Sequence, residues 1–237
     1  MESNHALADN DEFANRPARQ PDYASESAGL VRLAAAQMGP RANLLQEIAD
    51  VALSVCNAGS AGISLVEGTG DSRHFRWLAV AGRCADLRGK TTAWDECPCA
   101  MTLEARTPQL FIRPQDEFPC LRFLGVDVAE GIVVPIPTTD TPLWAIWVMS
   151  DEEGRQFDLE DVRLLSNLAV FAGAALTVVD ARDSGIENDQ RHNEFIAMLG
   201  HELRHPMAPI GSAVGAAARL CADNAKAVEV LPSHDGS

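Results

Sequence analysis

The sequence predicts an α+β fold: an antiparallel sheet flanked by helices, followed by a long helix. Three observations point there. Apolar residues recur at helical spacing before about residue 56 and again after residue 157, while the stretch between them changes to a period of two. The clearest strands come as neighbours joined by short turns, not by helices. Helices and strands are therefore segregated along the chain, the mark of an antiparallel sheet.

The elements follow in order. Residues 1–25 are polar and lack periodic apolar positions, so they read as a disordered tail. A short helix fits Tyr23 to Gln37 and is broken by Gly39-Pro40. A second helix fits Pro40 to Cys56, because Leu44, Leu45, Ile48, Val51, Ala52 and Val55 form one stripe and Asn57-Ala58-Gly59 ends it. Ala61–Val66 and Phe75–Ala81 read as a hairpin about a turn at Gly68–Asp71. Cys84 to Asp127 carries few regular signals; within it Pro98–Ala105 can form a short helix and Gln109–Ile112 a short strand. Gly131–Ile136 and Leu143–Ser150 form a strand pair across Pro137–Asp140. Asp158 caps a long helix, with Asp161 three residues on.

Composition narrows the function. The formal net charge of −15 argues against nucleic acid and anionic membrane surfaces as partners. The apolar run at Leu143–Met149 is far short of the ~20 residues of a membrane span, and no basic-then-apolar leader opens the chain. The expected location is the cytoplasm. Its reducing conditions make disulfides among Cys56, Cys84, Cys97, Cys99, Cys120 and Cys221 unexpected.

Two apolar rows dominate the C-terminal part. Leu164, Leu168, Phe171, Ala175 and Val178 alternate steps of four and three, which suits either a seam with another helix or packing on the chain's own sheet. Ser184-Gly185 interrupts the row. A second row then runs through Ile196, Leu199, Leu203, Met207, Ile210, Val214, Ala217 and Cys221, with an irregular step where Pro206 would kink a helix.

The stretch from about Ala42 to Val179 resembles GAF domains. The match is strongest in Gly131-Ile-Val-Val-Pro-Ile, in Trp144-Ala-Ile-Trp-Val and in Phe157-Asp-Leu-Glu-Asp-Val-Arg-Leu-Leu. The resemblance implies a sheet with helices on one face and a ligand cavity on the other.

The segment Phe195-Ile-Ala-Met-Leu-Gly-His201-Glu202-Leu203-Arg204-His205-Pro206 resembles the phosphoacceptor box of sensor histidine kinases. That resemblance implies that His201 accepts phosphate. The chemistry is consistent with it. His201 lies about 200° round a helix from the seam residue Leu199, so it faces outward. An imidazole with an ordinary pKa of about 6.5 is mostly neutral near pH 7, as a nucleophile must be. Glu202 can take the proton from one ring nitrogen while the other attacks phosphorus. The family usually has Asn or Thr where this chain has His205, a departure that puts phosphatase activity in doubt. No glycine-rich nucleotide motif occurs. The resemblance implies ATP and Mg, held by a catalytic domain missing here, and this chain alone is not expected to autophosphorylate.

The domain reading is a tail at 1–25, a GAF-like sensory domain at 26–180, a linker and truncated phosphoacceptor helix at 181–230, and a polar tail at 231–237. The expected partners are a second copy, paired through helices, and a response regulator or separate kinase catalytic domain. Two rivals stand beside this. One is a non-enzymatic GAF module that binds a ligand or dimerises. The other is a zinc hydrolase, since His201-Glu-Leu-Arg-His205 matches HExxH. Against zinc, Pro206 follows the second histidine at once, and Glu229 is the only glutamate downstream.

At the sensory end the ligand is unknown. Cys99 stands where related GAF sensors carry a cysteine in Ser-Pro-Cys-Gly, and in tetrapyrrole-binding members a cysteine can hold the chromophore. No Asp-Ile-Pro or Cys-His pair occurs, which disfavours a bilin. Cys97 and Cys99 in CxC spacing are too few for zinc without a second pair; a redox role and plain packing under a loop remain alternatives. Trp144 and Trp147 must face opposite sides of one strand, so one meets the core while the other can line a cavity or a dimer seam. Trp94 is the expected ligand wall.

Overall fold

The structure, a computed structural model, describes residues 16–122, 127–138, 143–152 and 155–183. Two helices open it, α1 (Tyr23–Ala36) and α2 (Arg41–Val55). The strands are β1 (Ser60–Glu67), β2 (His74–Gly82), β3 (Thr91–Ala93), β4 (Gln109–Ile112), β5 (Glu130–Pro135) and β6 (Trp144–Ser150). Helices α3 (Pro98–Ala105) and α4 (Pro119–Arg122) lie between β3 and β5, and α5 (Leu159–Asp183) follows β6. The strands form one sheet in the order β3-β2-β1-β6-β5-β4, with every neighbouring pair antiparallel. This is the predicted α+β architecture. β3 and α4 had no signal in the sequence: three and four residues are too short to show a period.

The pleat sorts side chains onto two faces. Ile63, Ile146 and Val134 share one cross-strand row and are buried on the face packed by α2 and α5. The next row, Gly62, Trp147 and Val133, faces the other way, towards α3. A register shift between Ile63 and Ser64 keeps Trp77 on this second face, opposite Ser64. The predicted stripe of α2 meets the sheet: Leu44, Leu45, Ile48, Val51 and Ala52 are buried, and only Val55 is half exposed. Asn57, at φ 46°, takes the left-handed conformation that ends the helix.

Helix α5 decides between the two readings of its apolar row. Leu164, Leu168, Phe171 and Ala175 are all buried inside the chain, beside Leu165, Ala169, Ala172 and Leu176. Packing on its own sheet and on α2 therefore accounts for these four residues. The longest apolar run of the described residues is also here, not at Leu143–Met149. Leu159–Val179 has a mean hydropathy of 1.8 and is long enough to cross a membrane by length and composition. Its apolarity follows from its position, because a wide arc of the helix lies against β5, β6 and α2.

The start of α5 is held by buried charges. Asp158 Oδ1 accepts from the amides of Glu160 and Asp161 at 2.9 and 3.1 Å, and Asp161 Oδ2 accepts from the Asp158 amide at 3.0 Å. This is the predicted cap, closed in both directions. Asp161 is 0% exposed and pairs with Arg19 and Arg155. Arg155 also donates to the Cys56 carbonyl at 2.8 Å, and Arg19 to the Val55 carbonyl at 3.1 Å, so the end of α2 joins the same cluster. Burial lowers the pKa of Arg19, but its hydrogen bond and charge contact with Asp161, helped by Asp158, outweigh this and raise it. Burial beside these carboxylates pushes the Cys56 thiol up strongly. Nearby, Glu130 is clamped by Arg16 through two bonds of 2.9 and 3.0 Å and accepts the Phe157 amide at 2.8 Å. Arg163 bridges Glu26 and Glu160. Residues 16–25, read from the sequence as part of a disordered tail, are thus tied to the α5 start through Arg16 and Arg19. Polarity alone could not reveal this, because the partners lie more than a hundred residues away.

Removing one member of a buried pair leaves the other charge stranded. Asp161→Ala strands Arg19 and Arg155 and opens the cap, so a loss of about 3–5 kcal/mol is expected in urea unfolding. Arg113→Ala, which breaks the exposed pair with Asp116, is expected to cost under about 1 kcal/mol. Equal losses in the two variants would contradict this account.

Candidate functional site

The second face of the sheet carries its own apolar core, roofed by α3 and the loops around it. Trp147 is its floor. The indole lies across Gly62, where a Cβ would come within 2.8 Å of Trp147 Cε2 and 2.7 Å of the Ala79 carbonyl oxygen. Its Nε1 donates to the fully buried Ser64 Oγ at 3.0 Å. Gly62 supplies the room and Ser64 the acceptor, so the ring is held flat with its polar atom satisfied. Trp77 leans on it, with centroids 6.0 Å apart and planes at 60°. Phe111 and Phe118 meet edge to face at 5.9 Å alongside.

Between this floor and α3 lies a small cavity lined by Trp77, Cys97, Cys99, Phe111, Val133 and Trp147, among others. Pro98 starts α3 at the position where its missing amide proton is harmless. This places Cys97 at the cap and Cys99 in the first turn, and both are 3% exposed. Cys56, Cys84, Cys97 and Cys99 form no disulfide. Burial raises the Cys84 pKa, while the Ser60 hydroxyl acts in the opposite direction. Thiols walled by apolar groups are poor nucleophiles. The cavity measures about 30 Å³, room for roughly one or two waters, whereas small-molecule sites commonly span about 300–1,000 Å³. In this conformation it is far too small for a tetrapyrrole.

The structure sorts the sequence candidates. Cys99 lies on the cavity, next to Cys97. Trp94 does not line it: its ring stacks on Phe75, with centroids 5.1 Å apart and planes 10° apart, and carries the Arg73 guanidinium 4.2 Å from its centroid. The rings that do form the wall are Trp77, Phe111 and Trp147. Trp144 takes the opposite face, with Arg41 5.1 Å from its ring. Cross-strand pairing was the missing information. A Trp at one position and a Gly and Ser on the facing strand are a signal only once the register is known. His201 and Glu202, with His205 and Glu229, lie outside the described residues. Among the described residues no group of three or more His, Cys, Asp or Glu is placed to hold a metal.

A profile of the GAF domain family matches residues 40–177. The chain belongs to the GAF domain family. No curated protein sequence matches it. The GAF domain of a phosphoenolpyruvate-protein phosphotransferase from Coxiella burnetii is similar in structure, with a TM-score of 0.56 at 15% identity, covering 69% of this chain and 98% of that one. A phycoerythrobilin-bound GAF domain from a cyanobacterial phytochrome gives 0.57 at 13% identity, covering 68% and 98%. The second GAF domain of DevS from Mycobacterium smegmatis gives 0.50 at 16% identity, covering 59% and 95%. At such identities the likeness is one of fold alone.

Two substitutions probe the floor of this cavity. Ser64→Ala leaves the Trp147 N–H buried without an acceptor and is expected to cost about 1–3 kcal/mol. Gly62→Ala drives a methyl into the ring and is expected to cost about 1–3 kcal/mol, with a change in tryptophan emission. An unaltered emission spectrum and stability in both variants would show that Trp147 is not held as described.

Proposed function

We propose that this chain is the sensory and phosphoaccepting part of a two-component signalling protein. In this reading residues 26–180 sense a signal, and residues 181–230 link them to a helix that pairs with a second copy and presents His201. Phosphate comes from ATP, with Mg, held by a catalytic domain outside these residues. One His201 ring nitrogen attacks the γ-phosphorus, the bond to ADP breaks, and Glu202 accepts the proton from the other nitrogen. A response regulator then takes the phosphoryl group, and the setting is cytoplasmic.

The observation that carries the reading is the stretch Phe195 to Pro206, with His201-Glu-Leu-Arg at its centre, set after a GAF domain in the same chain. The fold also accompanies phosphoryl transfer elsewhere: the Coxiella GAF domain comes from a phosphotransferase. Within the sensory domain, the site assigned to the signal is the cavity at Cys97 and Cys99, with Trp94 outside its wall. A ligand there must either be very small or separate α3 from the sheet.

The test is transfer of label from γ-labelled ATP to the full chain in the presence of Mg and an isolated histidine-kinase catalytic domain. Acid-labile label that disappears in His201→Gln, and falls about tenfold or more in Glu202→Gln, is the expected result. Label that persists in His201→Gln places the acceptor elsewhere. No label at all would leave the chain as a GAF module that binds a ligand or dimerises without phosphotransfer.

A further inference from the structure

The cavity under α3 is small, but its lining is chemically specific. Cys97, Cys99 and Met149 share its wall with the rings of Trp77, Phe111 and Trp147. Both cysteines are outside any disulfide and 3% exposed. Both come from the roof, Cys97 at the cap of α3 and Cys99 in its first turn. Among the described residues no charged side chain lines the cavity. Its volume of about 30 Å³ leaves room for roughly one or two water-sized atoms.

These facts restrict the occupant. Two thiols one residue apart can chelate a soft, thiophilic centre. The walls offer no counter-charge, so the bound species has to be neutral. Copper(I) held by two thiolates keeps a negative charge. Zinc takes four protein ligands in a closed site, and the pair supplies two. Divalent mercury would be neutral, but it lies in a line between its two sulfurs. Two sulfurs on one roof suit a pyramidal centre, which sits below both and turns its third valence towards the floor. Trivalent arsenic is such a centre. Its third substituent meets Val133 and Trp147, where a methyl group is at home and a hydroxyl would be buried without a partner. Arsenic and one methyl carbon are two heavy atoms, about what the void can take.

We propose that Cys97 and Cys99 together bind a monomethylated trivalent arsenical, taken up as methylarsonous acid. Each thiol replaces one hydroxyl on arsenic. Two S–H and two As–O bonds break, two As–S bonds form, and two waters carry away the hydroxyls with the thiol protons. Arsenic stays trivalent and neither sulfur is oxidised. The product is neutral, so the apolar walls hold it without a stranded charge. Uptake is slow, because the thiols are buried and α3 has to lift to admit the reagent. This ligand class rests on the reading that the cavity receives the signal, and not on phosphotransfer to His201.

Titration of the full reduced chain with methylarsonous acid or arsenite, followed by tryptophan emission and native mass spectrometry, tests this. A single adduct of one CH3As unit less two hydrogens is expected, with quenched emission, because Trp77 and Trp147 line the void. Arsenite is expected to bind about tenfold more weakly or worse, since its third hydroxyl is buried unpaired. Cys97→Ser and Cys99→Ser are each expected to weaken binding about a hundredfold, because the second attachment is no longer intramolecular. Cys97→Ala and Cys99→Ala serve if a serine variant fails to fold. Cys84 does not line the cavity, and Cys84→Ser is expected to bind unchanged. X-ray absorption at the arsenic edge is expected to show two sulfurs and one carbon. The proposal is overturned if no adduct forms, if arsenite binds as tightly, or if a variant of Cys97 or Cys99 keeps the full affinity. The phosphotransfer reading is decided separately, by the label on His201.

Discussion

Asp161 is the point on which the tertiary structure turns. A carboxylate with no exposed surface is tolerable only when its charge and its lone pairs are met. Here they are met by Arg19 from the N-terminal segment, Arg155 from the segment before α5 and the amide of Asp158. Because Arg19 and Arg155 also bind the last carbonyls of α2, one buried charge fixes three pieces of chain against each other. A merely apolar junction would hold the same elements with less angular precision. The demand that every charge be paired admits few arrangements.

The sheet has two unequal faces. The face under α2 and α5 is filled largely with aliphatic side chains, beside Trp144, and has a structural task. The other is floored by Trp147, roofed by α3 and left with a small void beside two thiols. The Trp147 indole donor there has Ser64, and the thiols ask for little. A polar cavity of about 540 Å³, lined by Arg113, Asp127, Glu130 and Asp151 at the ends of β4, β5 and β6, is its opposite. The two differ in what each asks of a ligand. Entry to the first means parting packed apolar surfaces, whereas entry to the second means replacing weak exposed contacts.

The two parts of α5 are held by different forces. α5 is gripped along most of its apolar arc, so sliding it would unpack a core. Its first turn is gripped by charges, which can exchange partners without opening a void. The first turn is therefore the part of α5 where rearranging partners disturbs the packing least.

The sequence by itself determined the α+β class, the order of the long elements and the cap at Asp158 and Asp161. These depend on periodicity and on contacts within a few residues, which a linear pattern records directly. It also marked Cys99, through a resemblance. The tertiary structure alone decided that α5 packs inward, that Trp147 and Trp77 and not Trp94 wall the apolar cavity, and that Arg16 and Arg19 anchor the N-terminal segment. Each of these is a statement about residues far apart in the chain, brought together by strand register and by the pairing of buried charge, and no local spacing encodes which distant residue will be the neighbour.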